Sequence, residues 1–172
     1  IIYIKTGTTI KKVLQWPILY YHLPLAINSF IACFLVMICS VMYLKTNNYH
    51  WDMKAMSFAE VGMLYCFLVL LTGSIWGKLN WGVFWSWEPR LITTSLLFIM
   101  YVVYFMIRKF GGNYEKSSKL SSIVGIMLFV DVPIIYYSID LWSSEVQLHP
   151  TRNIGKSDPS ITWILPVAII SF

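Results

Sequence analysis

Apolar residues gather along this chain into long runs separated by short polar segments, and the length of those runs predicts helices that cross a bilayer. A spanning helix needs roughly 20 mostly apolar residues, because its backbone has to satisfy its own hydrogen bonds where water is absent. The first such run follows Trp16-Pro17-Ile18-Leu19-Tyr20-Tyr21-His22-Leu23-Pro24 and continues to about Leu44, with aromatic residues at its entry as in an interfacial belt. A polar linker at 45–54 leads to a second run over 55–75, whose Glu60 sits near the linker end, within snorkelling reach of water. The third run covers 91–107 and stops at Arg108-Lys109-Phe110-Gly111-Gly112-Asn113, a basic cluster with turn-forming residues. A fourth run over 120–139 includes Asp131 and Pro133, and a fifth begins near Ile161 and is cut short at Phe172. Residues 1–16, carrying Lys5, Lys11 and Lys12, are too polar to span and stay unassigned. The expected fold class is all-α: a polytopic transmembrane helical bundle, one domain over 1–172, with about five spans visible.

Alternation of the spans sorts the loops. Each crossing moves the chain to the opposite membrane face, so His22, the segment after the second span and His149 share one side. The linkers at 45–54 and 108–119 share the other, with Lys45, Lys54, Arg108, Lys109, Lys116 and Lys119. The positive-inside rule puts that basic face in the cytoplasm or matrix and turns the other face outward. His50 falls on the basic face and reads as a solvated loop residue. An ionised side chain inside a span is costly and normally faces protein or water, so Asp131 is as readily a packing residue beside Pro133 as a functional one.

Composition agrees with a membrane protein and narrows its partners. Hydrophobic residues make up 58% of the 172 and charged ones 12%, far from soluble proportions. The net charge of +5 is spread through the short loops, so it reads as a topology signal and no nucleic-acid partner is expected. Cys33, Cys39 and Cys66 all fall inside apolar runs without metal-ligand spacing, as buried small hydrophobes do. No signal peptide is assigned at the start.

Chemistry concentrates in the outward loop after the second span: Thr72-Gly73-Ser74-Ile75-Trp76-Gly77-Lys78, then Trp81-Gly82-Val83-Phe84-Trp85-Ser86-Trp87-Glu88-Pro89-Arg90. On its own a tryptophan-rich membrane loop is most often an interfacial anchor. Two histidines on the same face make a second reading available. Neutral imidazoles can take the axial positions of a haem iron, indole faces can cover the macrocycle, and arginine can grip propionate carboxylates in a two-pronged geometry.

The local sequences go further, because this stretch resembles the WWD signature of the haem-handling superfamily. Within it the similarity is greatest to cytochrome c maturation protein C, the haem-delivery family of system I. Ile18-Leu19-Tyr20-Tyr21-His22-Leu23-Pro24 and Val132-Pro133-Ile134-Ile135-Tyr136-Tyr137-Ser138-Ile139-Asp140-Leu141-Trp142 agree with that family in order, so the resemblance covers most of residues 18–166. It implies a six-helix fold that binds haem b transiently on its outward face and presents it to a haem chaperone among other cytochrome c maturation membrane subunits. His22 and His149 would be the axial ligands, with Trp76, Trp81, Trp85, Trp87, Glu88 and Arg90 around the cofactor. Two departures stand out. Glu88 replaces the family aspartate, and His149 lies farther from Trp142 than the family's second histidine does. Only residues 1–17 precede the segment that carries His22, so the family's first helix is expected to be missing unless a companion chain supplies it.

The reading adopted is a carrier rather than an enzyme, since a chain that binds and hands over haem need make or break no bond. A haem lyase component attaching haem to apocytochrome c is the enzymatic alternative. A degenerate or split homologue kept as a structural subunit of a mitochondrial membrane complex is the third. The abundance of Ile, Tyr, Phe, Asn and Lys suits an AT-rich genome, which favours the mitochondrial inner membrane with the tryptophan face toward the intermembrane space. The bacterial inner membrane facing the periplasm is the alternative.

Overall fold

Helices in this chain outlast the apolar runs that predict them. The structure, a computed structural model, describes the backbone of residues 2–141 and the side chains of residues 18–138. Its described residues form four helices: α1 (Ile2–Thr46), α2 (Tyr49–Trp81), α3 (Pro89–Phe110) and α4 (Tyr114–Leu141). Each contains a segment long and apolar enough to cross a membrane. The fifth span expected near Ile161 lies outside the described residues. Residues 2–16, left unassigned by hydropathy, continue α1 as helix, and the polar linkers shrink to a few residues. The reason is that hydropathy registers lipid exposure, whereas a helix continues as long as its backbone finds i−4 partners.

What ends each helix is local. Asn47 adopts a positive φ of 49, and Asn48 caps α2 by accepting the His50 backbone N–H at 2.9 Å on its side-chain oxygen. Asparagine tolerates the left-handed conformation better than most residues, so two residues suffice for the reversal. His50 is exposed at this end, as alternation predicts. Gly82, at φ 81, stops α2 in a left-handed C-cap whose N–H returns to the Lys78 carbonyl. Glu88 begins α3, with Pro89 fixed at the first helical position.

Short connections make sequence neighbours antiparallel, and the packing completes a four-helix bundle. α1 lies chiefly against α2 and α4, α3 against α4 and, less extensively, α2, so α1 and α3 are diagonal. In lipid there is little hydrophobic drive between helices, and close approach by small residues does much of the work. Gly125 on α4 faces Ser40 and Val36 on α1 with no room for a further carbon. The core gathers around Tyr101, Tyr104, Cys33, Cys66, Leu97 and Leu128, all buried, with the Tyr101 hydroxyl 3.1 Å from Cys33 Sγ. The cysteines are therefore core residues, as their apolar context predicts.

At the basic end the bundle is tied by one ion pair. The fully buried Asp52 carboxylate receives both terminal nitrogens of Arg108, each at 2.7 Å, together with the hydroxyls of Tyr114 at 2.7 Å and Ser118 at 3.1 Å. Arg108 Nη1 also donates to Ser121 at 3.1 Å. One carboxylate so joins the start of α2, the end of α3 and the first turns of α4. Breaking a buried pair by removing one partner strands the other charge and costs about 3–5 kcal/mol. Arg108→Ala and Asp52→Ala are each expected to lower the unfolding midpoint of the purified protein by that much stability. Tyr114→Phe, which loses one hydrogen bond to a charge, should cost about 1.5–3 kcal/mol. Circular-dichroism unfolding in detergent reads all three, and near-equal effects of Tyr114→Phe and Arg108→Ala would refute the ranking.

Candidate functional site

His22 sits midway along α1, on the side of the bundle away from the ion pair, and faces α2. Its Nδ1 lies 2.9 Å from the Thr72 hydroxyl oxygen. That hydroxyl already donates its single hydrogen to the Leu68 carbonyl at 2.7 Å, the usual bond of a helical threonine to the preceding turn. With that hydrogen engaged, the hydroxyl can accept from His22 Nδ1, the arrangement of the Nδ1–H tautomer. In that tautomer Nε2 is the acceptor nitrogen of the ring, the kind of atom that ligates a metal. Gly73, next along α2, makes the approach feasible: a Cβ there would stand 3.2 Å from His22 Cε1.

Beside His22 a cavity of about 420 Å³ opens between all four helices. Such a volume falls in the range of small-molecule sites, and an apolar wall with a few placed polar groups is their usual character. His22 from α1, Trp76 from α2 and Arg90 from α3 line it, and it reaches down to Phe30, Cys66 and Leu97 in the core. Three of the eight residues singled out from sequence thus meet around one space.

The others are distributed differently. The expected loop begins only after Trp81, because α2 carries Trp76 and Trp81 on its last turns. Their rings meet edge to face, 5.2 Å apart at 86°, and Trp85 and Trp87 form a second such pair at 5.7 Å and 83° in the segment between α2 and α3. The tryptophans hence present two perpendicular pairs rather than one flat shelf, with Trp87 77% exposed. Lys78 donates to the Gly82 carbonyl at 2.8 Å and lies over the Phe84 ring, so it shapes the turn. Glu88 is buried at the N-cap of α3 without a side-chain capping bond. His149 lies outside the described residues. Asp131 is buried in α4, one turn from the cavity-lining Ile135. Among the described residues no three His, Cys, Asp or Glu side chains gather to hold a bare ion.

Sequence reasoning missed Thr72 and Gly73 as the supports of His22. Both stand at the opening of the tryptophan motif, yet only the α1–α2 contact reveals what they touch. Removing the Thr72 hydroxyl should leave the imidazole without its Nδ1 acceptor, so Thr72→Val is expected to replace one ring tautomer by a mixture. Nitrogen NMR of ¹⁵N-histidine-labelled protein in detergent checks this, and an unchanged His22 pair of ring signals would refute it. In Gly73→Ala the ring has to move by a few tenths of an ångström, which should shift the same signals while Thr72 is intact.

Residues 3–172 match the family described as heme exporter protein C. Heme exporter protein C of Bradyrhizobium diazoefficiens is 27% identical over 168 residues, covering 96% of this chain and 60% of the relative. A "Putative cytochrome c biosynthesis ccmC-like mitochondrial protein" of Marchantia polymorpha is 30% identical over 158 residues, 91% of this chain and 65% of its own length. Heme exporter protein C of Escherichia coli strain K12 is 28% identical over 158 residues, at 92% and 64%. The chain spans less than two thirds of the length of these curated relatives. With a match running through nearly every residue and four membrane-capable helices among the described residues, this chain belongs to the heme exporter protein C family.

Proposed function

We propose that the chain binds haem as cargo at its tryptophan-rich end and delivers it to a haem chaperone during cytochrome c maturation. The observation that carries this reading is the convergence of His22, Trp76 and Arg90, from three different helices, on one largely apolar cavity. The residues fit the group. Haem supplies an iron with axial positions, an apolar ring and two carboxylates. The Thr72 hydroxyl holds His22 in the tautomer that offers Nε2 as an axial ligand. Trp76 and the aliphatic walls cover apolar surface, and Arg90 is placed to pair with carboxylates through charge-assisted hydrogen bonds. Relatives named for heme export and for cytochrome c biosynthesis support the same reading.

The work of the chain in this role is holding and release. A carrier has to bind weakly enough to yield its cargo, and the exposed Trp85–Trp87 pair gives a rim at which a chaperone can engage both protein and haem. We place the protein in an inner membrane, mitochondrial or bacterial, with the tryptophan end toward the intermembrane space or periplasm. The basic-end cluster of Lys45, Lys54, Arg108 and Lys109 supports that orientation. Haem b is the expected form, His149 the expected second ligand, and further maturation subunits the expected membrane partners.

Substitution of His22 tests the proposal. Protein purified in detergent from haem-replete cells should show the visible spectrum of histidine-ligated haem. His22→Ala should reduce its haem content at least about tenfold, since even outer-shell partners of a metal ligand typically matter by that factor. Arg90→Ala should keep the ligation spectrum while weakening retention by about tenfold, the worth of a lost charge-assisted bond. Unchanged haem content and an unchanged spectrum in His22→Ala would remove His22 as a ligand.

A further inference from the structure

Among the described residues, the outward faces of α1, α3 and α4 within the membrane layer carry no charge, but that of α2 does. Its exposed residues inside the layer fall in one helical stripe: Ser57, Glu60, Val61, Leu64, Phe67, Leu71 and Ile75. Glu60 is exposed and has no hydrogen-bond or ion-pair partner among the described residues. Its depth is set by the lysines on the same helix. Lys54 and Lys78, both exposed, stand about 36 Å apart along the helix axis at 1.5 Å per residue. That separation slightly exceeds the roughly 30 Å of hydrocarbon a bilayer presents. Glu60 lies about 9 Å inward from Lys54, one and a half to two turns into the layer. The snorkelling expected from its place near the linker has to cover that distance with a short side chain.

An ionisable residue turned toward lipid is expensive and marks a functional position with a partner. We propose that this face of α2 is the docking surface for a membrane-spanning helix of another subunit, one that brings a lysine or arginine to the depth of Glu60. Ser57, one turn away on the same stripe, strengthens the match. Its hydroxyl donates to the Met53 carbonyl at 3.2 Å, so toward a partner it offers lone pairs. Glu60 and Ser57 together form an acceptor-only patch, suited to an ammonium or guanidinium group. Leu64, Phe67 and Leu71 continue the ridge against which such a helix would lie.

A second copy of this chain fits less well. A two-fold axis along the membrane normal sets equal depths against each other and would bring carboxylate to carboxylate. Nor does any other described outward stripe supply a cation at that depth. The inference is independent of haem binding, since the surface lies on the lipid side of α2 and the cavity on its inner side.

The test is site-specific photocrosslinking in native membranes, with benzoylphenylalanine at Leu64 on this stripe and at Ile99 on the lipid face of α3. The expected result is a product at Leu64, and not at Ile99, that joins this chain to a different membrane protein. The crosslinked peptide should be identified by mass spectrometry and should contain a lysine or arginine in its spanning segment. Glu60→Lys should lower the yield at least about fivefold, because like charges now meet, and changing the partner's basic residue to glutamate should restore it. Should Glu60→Lys fail to insert, Glu60→Gln, which keeps the shape, should still lower the yield at least about twofold. Adducts at Leu64 with lipid alone, with a second copy of this chain, or with a yield indifferent to Glu60 would each overturn the proposal.

Discussion

The bundle depends on a buried carboxylate. Asp52 is inaccessible to solvent, and four donors from Arg108, Tyr114 and Ser118 meet its two oxygens. In water a pair of this kind gives little net stability, because desolvation offsets attraction. At the end of a membrane bundle the comparison changes, since the alternatives to pairing are lipid or a crowded interface, and apolar contact supplies little drive. One saturated ion pair fixes three helices in register at the basic end. The other end is thereby left free to keep a space between them.

That division explains why the cavity exists at all. A tightly packed four-helix bundle of this size would close over its axis, and near Tyr101, Tyr104 and Leu128 it does. Toward His22 part of the wall is small: Ala26, Gly73, Ser74 and Thr94 stand where larger side chains would fill the space. Gly73 serves twice, admitting the imidazole beside it and widening the space beyond. The ring is then oriented before any ligand arrives, because the Thr72 hydroxyl is itself held by its own helix. Preorganisation of this sort lowers the ordering cost of binding without adding contacts.

Much of this was legible in the sequence, and the reasons are physical. Spans over 15–20 residues have a strong apolar signature, and alternation then put His22, Trp76 and Arg90 on one side with no knowledge of packing. Boundaries were less legible: Trp76, Lys78 and Trp81 read as loop because polar and aromatic residues interrupt the run, yet α2 continues until Gly82 offers a left-handed cap. The polar-reading linker at 45–54 hid Asp52, whose partner lies 56 positions away on α3. An acid in a first helical turn and an arginine in a last turn are each ordinary, and only the antiparallel arrangement of α2 and α3 makes them a pair. Thr72 was hidden for the same reason, since no spacing within α2 names a partner on α1.

Glu88 stands where the resemblance leads one to expect aspartate, and its surroundings can be read directly. An aspartate at an N-cap accepts a backbone N–H from the first turn, and its short side chain gives it the reach to do so. Glutamate is one methylene longer, and here it makes no such bond. Pro89 at the first helical position has a fixed φ that already favours helix. What Glu88 retains is a buried carboxyl group at the positive end of the α3 dipole, two residues from Arg90 on the cavity wall. A buried acidic group at that position is one that a helix N-terminus favours.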